Sequence, residues 1–513
     1  MTPRTLSRLT RRGFATALVG LPRKGEAAVQ GSFVDRTSEM GHRLRDGAKF
    51  APPKREERVP LVIVGGGCAG LCAAWKLLKR GFRDFVLLEM EDAAGGNARH
   101  GENEVSAYPW AAHYLPVPGA HAVEVRELCE EFGLLRDGHW DERHLCHSPQ
   151  ERLFLHGRWQ EGIEPEIAST KRDHEQFRRF QQLIAEAAAS GQYTIPMERG
   201  RASAERAKPG ASPLDRLTFE QWLRAQGFDS AYLHWYCDYA TRDDYGARAS
   251  ETSAWAGIHY FAAREPDEKG PLTWPEGNGW LVRKLMERVK PHVRTGQMVQ
   301  RIERRGTGRR VWTAEARYDC DAVIFAAPTF LAPYLIEDGP KASPVPTSPW
   351  LVANLTLDRP PAERGHPLCW DNVLYGSQAL GYVNATHQSL RTRPDRFVWT
   401  YYWALADGDP RAVRQTLLDR PWTHWRDLIL NDLQRAHRDI RECVSRIDIM
   451  RQGHAMPRPV PGFLESKERK ALAEQTGSLV YAHSDLSGLA LFEEAQYRGY
   501  RAADRFLKRV GKA

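Results

Sequence analysis

Residues 61–70 read Leu-Val-Ile-Val-Gly-Gly-Gly-Cys-Ala-Gly, and Glu89 stands nineteen positions after Gly70, closing the run Phe-Val-Leu-Leu-Glu. An apolar β-branched run (Leu61–Val64) leads into Gly65-x-Gly67-x-x-Gly70 and then a helical stretch, Cys68 to Arg80. That order predicts a strand, a tight turn, a helix and a second strand. Gly65 permits the turn, Gly67 lets backbone approach a diphosphate, and Gly70 lets helix and strand pack closely. Amides at the helix start, including those of Cys68, Ala69 and Gly70, lack partners inside the helix and sit at its positive dipole end. Glu89 is placed to accept hydrogen bonds from ribose hydroxyls. The pattern predicts a nucleotide cofactor; the alternative is a glycine-rich turn in an unrelated α/β protein.

Residues 90–99 follow as Met-Glu-Asp-Ala-Ala-Gly-Gly-Asn-Ala-Arg. The second glycine pair, Gly95-Gly96, lets further backbone lie against a diphosphate, which a simple NAD domain has no reason to do. This extension resembles the FAD-containing amine oxidases and their relatives, among them carotenoid desaturases and protoporphyrinogen oxidase. The resemblance recurs at Thr273–Gly279 with the helical stretch Trp280–Val289, at the strands Met298–Arg304 and Asp321–Pro328, and at Gly477–Ala503. It implies an α/β fold with a Rossmann-like FAD-binding domain and an interleaved α+β substrate domain. By resemblance, FAD contacts come from Gly65, Gly67, Cys68, Ala69, Gly70, Glu89, Met90, Gly95, Gly96 and Val299. Asp485, Glu494 and Ala495 join them from the last segment, where the family aims a helix N-terminus at the flavin. Two departures stand out. Asn97 occupies the family's usual arginine position, leaving Arg99 to supply the cation, and Ala482-His483-Ser484-Asp485 replaces the usual Ala-Gly-Glu or Ala-Gly-Asp.

The segments divide the chain into FAD-binding parts at 59–124, 276–335 and 471–513, with substrate-domain parts at 125–275 and 336–470. The first substrate part reads as helical: Gln176–Ala189 repeats apolar residues at helical spacing, and Thr218–Gln221 resembles a capping box. Ala231–Ala240 packs Tyr232, Trp235, Tyr236 and Tyr239 into ten residues, which suits a core or a tunnel lining. Residues 31–58 read as a linker or surface strap. Residues 1–30 contain Thr10-Arg11-Arg12-Gly13-Phe14 before a short apolar stretch, which resembles a twin-arginine export signal and implies a periplasmic protein. A net charge of +8 spread over scattered arginines points to solvated faces and no nucleic-acid partner. No apolar run is long enough for an integral membrane segment. Eight dispersed cysteines show no metal-ligand spacing and read as core residues.

The chemistry implied is two-electron oxidation of a small-molecule substrate at the flavin. Family oxidases carry a lysine on a substrate-domain strand that holds a water against flavin N5. The corresponding strand here, Pro349–Asp358, has none, and no lysine occurs from Ala342 to Ser466. Asn354 is the nearest polar candidate on it. Other candidates are His113, after the Gly-Gly turn, and His454 in Gly453-His454-Ala455-Met456-Pro457; either could serve as a base, and His483 lies in the flavin turn. The expected substrate is an amine or polyamine. The alternatives are a desaturase or isomerase of an apolar polyene, or an inactive FAD-bound scaffold. Without the lysine, a quinone or redox protein is the expected electron acceptor.

Overall fold

The computed structural model describes residues 29–35, 38–207, 212–264, 270–389, 391 and 394–512. The twin-arginine signal is expected over residues 1–30; its residues 1–28, Arg11 and Arg12 among them, lie outside the described residues, while Gln30 opens a strand. Two sheets organise the chain. The first has seven strands, six of them in the order Val293–Arg294, Phe85–Leu88, Arg55–Val64, Ala316–Phe325, Gly308–Trp312, Arg301–Arg305. Leu479–Tyr481 pairs in parallel with the end of Ala316–Phe325, from Val323 to Phe325. Arg55–Val64 runs parallel to both its neighbours, and helix Cys68–Lys79 makes the crossover to Phe85–Leu88. This is the doubly wound α/β arrangement expected from residues 61–89.

Its buried strands are near-continuous apolar runs because both faces are covered. Leu61 and Ile63 pack with the cofactor helix on one face, while Val62 and Val64 join Val323 and Phe325 on the other. The long C-terminal helix, Phe492–Arg509, lies against helix Cys68–Lys79. Gly499 makes this possible, since a Cβ there would strike the Ala69 carbonyl. Beside it, buried Lys76 hydrogen-bonds the Tyr500 hydroxyl and faces Asp504 at 3.6 Å.

The second sheet has eight strands, ordered Gln30–Phe33, Val444–Pro457, Thr347–Leu357, Phe397–Ala404, Gly381–Asn384, Asp371–Leu374, Glu151–Leu155, Arg158–Glu161. One face, with Leu351, Ala353, Leu355, Trp399 and Tyr401, is covered by helix Trp422–Leu433. The other carries Trp350, Val352, Tyr402 and Ala404, and turns toward the functional region. A helical cluster between residues 171 and 262 builds a separate aromatic core around Phe180, Phe219, Trp222 and Trp255.

Residues 31–58 are more than the linker expected. Gln30–Phe33 joins the eight-stranded sheet as a parallel edge strand on Val444–Pro457. Phe33 lies under the Arg451 guanidinium, 3.9 Å from ring centre to carbon, and Asp35 accepts from Arg451 at 2.9 Å. Helix Ser38–Arg45 follows, and the first strand of the other sheet begins at Arg55, six residues before the apolar run. The segment is polar because one side of it faces water, and that composition hid its pairing. Elsewhere the expected strand Met298–Arg304 begins at Arg301, and Asp321–Pro328 shifts to Ala316–Phe325. Among the described residues all eight cysteines are free. No helix there is long and apolar enough to cross a membrane.

Replacing Gly499 by Leu should drive the two helices apart. Overpacking of this kind costs about 1–3 kcal/mol, so calorimetry should show a lower melting temperature together with weaker cofactor retention.

Candidate active site

The cofactor cradle is built from backbone. Gly65 has φ +103°, and a Cβ there would sit 2.8 Å from the Ala327 amide nitrogen; a Cβ on Gly70 would strike the Gly65 carbonyl. Gly67 bridges to Gly95, and Gly96 at φ +55° crosses Gly67 closely, a Cβ there lying 3.2 Å from the Gly67 Cα. Helix Cys68–Lys79 has no side-chain cap, and its first internal bond is donated by Leu71 to the Gly67 carbonyl at 3.0 Å. The amides of Cys68, Ala69 and Gly70 therefore remain free for an anion.

Glu89 is buried at the end of its strand. Its Oε2 accepts from the Gly66 amide at 2.6 Å and its Oε1 from the Glu91 amide at 2.8 Å. Burial raises its pKa against these two bonds. Each oxygen keeps a second lone pair for a ribose hydroxyl. Gln297 donates its amide to the Glu89 carbonyl at 2.7 Å, bringing residues 296–299 alongside. Val299 itself packs in the core with Val64 and Leu88, while Met90 is half-buried at the turn.

A diphosphate also needs a cation, and Arg99 is suited to it. One guanidinium nitrogen donates to Glu91 at 3.0 Å, yet its buried Nε has no hydrogen-bond partner. Asn97, in the family's arginine position, donates instead to the Ala455 carbonyl at 2.8 Å and ties the two sheets together. The glycine cradle, the uncapped helix and the unsatisfied Arg99 donor fit a dinucleotide diphosphate.

In the C-terminal segment the side chains serve the protein. Asp485 is buried and accepts from the Thr329 amide and hydroxyl, both at 2.8 Å, while its own amide donates to His483 Nδ1 at 3.1 Å. Glu494 accepts from the Met197 amide at 2.6 Å. Helix Phe492–Arg509 has no side-chain cap, so its first-turn amides are what it offers; Ala495 starts the internal ladder by donating to Leu491 at 3.1 Å.

The three catalytic candidates separate. Asn354 is buried, donates to the Pro109 carbonyl at 3.1 Å and accepts from the Thr400 hydroxyl at 2.7 Å. Its hydrogen bonds hold the 108–114 segment against the sheet, which makes it a positioning residue, contrary to the catalytic role expected. His113 lies in an aromatic box, with ring centres 4.6 Å from Tyr402, 4.9 Å from Tyr114 and 5.6 Å from Trp370. Its Nδ1 lies 3.3 Å from the Ala111 carbonyl, which assigns the proton there and leaves Nε2 as a lone pair. Desolvation depresses its pKa to about 4. His454 stacks on Phe330 at 4.1 Å, its Nδ1 is 2.7 Å from the Thr347 hydroxyl, and burial with Arg414 nearby lowers it to about 4. Both histidines are neutral at pH 7.

A group of acids escaped the sequence reading. A cavity of about 500 Å³ is lined by Glu151, Glu161, Glu164 and Glu166 with Tyr236 and Tyr260. Asp371 is the ladder neighbour of Glu151, and Asp243 acts on it from helix Ala231–Tyr245. Burial first, then mutual repulsion, raises the pKa of Asp371, Asp243, Glu151 and Glu164. Arg264 is the cation on the wall, and Asp244 already holds it at 3.1 Å. Arg264 also reaches the Tyr114 hydroxyl at 3.4 Å, linking the acidic cavity to the aromatic box. The available signal was Asp371 itself, an acid between Trp370 and an apolar strand end. Among the described residues no group of His, Cys, Asp or Glu is placed to hold a metal.

Glu89→Ala should release most of the FAD. A hydrogen bond to a charged group contributes ~1.5–3 kcal/mol, so absorbance at the flavin band should show the apoprotein accumulating on gel filtration. Full retention would remove Glu89 from the site.

A model of flavin-containing amine oxidoreductases matches residues 68–504. Over 65 residues, 13% of this chain, there is 40% identity to mitochondrial dimethylglycine dehydrogenase of Rattus norvegicus, of which only 8% is spanned. Putrescine oxidase bound to putrescine shares the fold with a TM-score of 0.64 at 16% identity, over 88% of this chain and 99% of that one. A fatty acid isomerase from P. acnes does so with a TM-score of 0.62 at 16% identity, over 88% and 98%. The match to the family model over most of the chain makes this protein a member of the flavin-containing amine oxidoreductases, an FAD-dependent oxidoreductase.

Proposed function

We propose that the protein oxidises a cationic amine, a primary amine or polyamine bound through the acidic cavity. The observation that carries this reading is the charge of that cavity. Glu151, Glu161, Glu164 and Glu166 stand on its wall, Asp371 lies beside Glu151, and Arg264, the only cation on that wall among the described residues, is neutralised by Asp244. Glu151, Glu161 and Glu166 are exposed and Glu164 half-buried, and like charges gathered on one wall repel one another unless a cation lies between them, so an ammonium is the complementary ligand. An amino acid substrate suits the site less, because its carboxylate would find Arg264 already occupied. An apolar polyene suits it least, since it would leave every acid unpaired.

The chemistry FAD supplies when bound is two-electron oxidation. The chain's own residues then have two tasks. The aromatic box of His113, Tyr402, Tyr114 and Trp370 confines the substrate and excludes water. An ammonium must lose a proton before oxidation, and the acceptor in this reading is Asp371, whose pKa is raised by burial and by Asp243, while desolvation holds His113 down at about 4.

Anaerobic mixing with a panel of amines, amino acids and polyenes should bleach the flavin with amines alone. Asp371→Asn should raise KM for the reactive amine by roughly 10- to 100-fold, the loss of one charged hydrogen bond, and should shift the acid limb of kcat/KM. Bleaching by a polyene alone would replace this reading with the isomerase one. A flavin reduced by dithionite but by no organic donor would identify a scaffold.

The electron acceptor is proposed to be a quinone or redox protein. The Thr347–Leu357 strand carries no lysine, and both His113 and His454 are neutral, which leaves these positions without positive charge to assist oxygen reduction. In stopped flow the reduced enzyme should react faster with a quinone analogue than with air-saturated buffer; the reverse order rejects the proposal. Export through the twin-arginine route, to the periplasm, is proposed from Arg11 and Arg12. Replacing both by lysine should retain the protein in the cytoplasm of a host that exports the parent chain.

A further inference from the structure

Four strands of the first sheet end level with one another. Leu88 pairs with Val64, Val64 with Phe325 and Phe325 with Tyr481, all in parallel register. The residues that follow these positions share one carboxyl edge, where parallel α/β sheets bind their ligands. In order along that edge they are Glu89, the turn that opens at Gly65, Ala326, and then Ala482 with His483. Glu89 and His483 thus belong to strand ends three spacings apart, about 14 Å, on opposite sides of the glycine turn.

A dinucleotide has the same plan, two halves joined by a diphosphate. With the diphosphate at the glycine turn and one ribose at Glu89, the other half reaches toward Ala326 and His483. The acid of this last turn is already engaged, since Asp485 is buried and its Oδ2 accepts both bonds from Thr329. His483 keeps one nitrogen free. It is half-buried, and its Nδ1 accepts from the Asp485 amide at 3.1 Å. An amide can only donate, so the proton of the neutral ring sits on Nε2. Asp485 Oδ1, also 3.1 Å from Nδ1, would hold a second ring proton, so Nε2 carries a hydrogen in either charge state. Among the described residues nothing accepts that hydrogen, and the atom is open to its surroundings.

We propose that His483 is a cofactor contact, its Nε2–H donating to an acceptor on the flavin half of FAD, either a ribityl hydroxyl or the edge of the isoalloxazine ring. The Asp485 amide and carboxylate hold the imidazole in place for it. The contact is the same whichever substrate the enzyme oxidises.

ADP carries the adenosine ribose and the diphosphate but no flavin half, so it separates the two ends of the site. In the test, ADP displaces FAD from the loaded enzyme and flavin fluorescence reports the release. The ADP concentration that displaces half the FAD should fall by roughly tenfold in His483→Phe, the loss of one hydrogen bond. It should not move in Glu89→Ala, where both ligands lose the same contact. His483→Gln, which keeps an N–H donor, should behave as the parent does. His483→Leu repeats the measurement with a smaller apolar side chain if His483→Phe does not fold. A ring acceptor should also lower the flavin midpoint potential in the apolar variants, because the donor that met the charge built up on reduction is gone. A tenfold change there is about 30 mV for a two-electron couple. A ribityl acceptor should leave the potential where it was. Unchanged displacement by ADP in the apolar variants, or easier displacement in His483→Gln, overturns the proposal.

Discussion

Backbone must come within contact distance of backbone where the first strand meets the first helix, and the cofactor site depends on that approach. Gly70 passes the Gly65 carbonyl so closely that no side chain fits, and Gly96, at positive φ, crosses Gly67 within tight contact distance. The approach leaves the uncapped amides of helix Cys68–Lys79 facing the crossing segment. It also fixes where the C-terminal helix can lie, since Gly499 packs on the carbonyl of Ala69, the residue before Gly70. The open backbone cradle and the docking of the last helix are therefore two results of the same glycine geometry.

The second sheet turns that cofactor site into a particular enzyme. Its long central strand, Thr347–Leu357, is buried on both faces, with helix Trp422–Leu433 on one and the functional region on the other. Asn354 reaches from it to the Pro109 carbonyl and so sets the position of His113 and Tyr114. From the far side of the sheet Asp371 and Glu151 bring carboxylates to the same face. The N-terminal segment completes the assembly, pairing with one sheet at Gln30–Phe33 and entering the other at Arg55.

The fold leaves the substrate of this site open. Putrescine oxidase and a fatty acid isomerase both superimpose on the chain at 16% identity, so the architecture alone leaves the substrate open. What discriminates is which polar groups line the cavities and in which protonation state. Desolvation drives the two candidate histidines neutral and lifts the carboxylates, the same physical effect acting with opposite sign on a base that gains charge and an acid that loses a proton.

The nucleotide-binding unit was legible in residues 61–99 because its requirements are local. A turn at positive φ, a backbone crossing and an acid at a strand end are set by residues within a few turns of one another. The α/β class and the FAD cofactor followed from those positions together with their family resemblance. The N-terminal edge strand was hidden, since its pairing partner lies more than 400 residues away and its composition is that of an exposed edge. Tertiary structure alone gave Asn354 its partners, neutralised His113 and His454, and gathered Glu151, Glu161, Glu164 and Glu166 around one cavity with Asp371 beside Glu151. The reason is physical: the charge of a site is a sum over residues from distant segments, and a proton's affinity depends on the water that those segments, once packed, exclude.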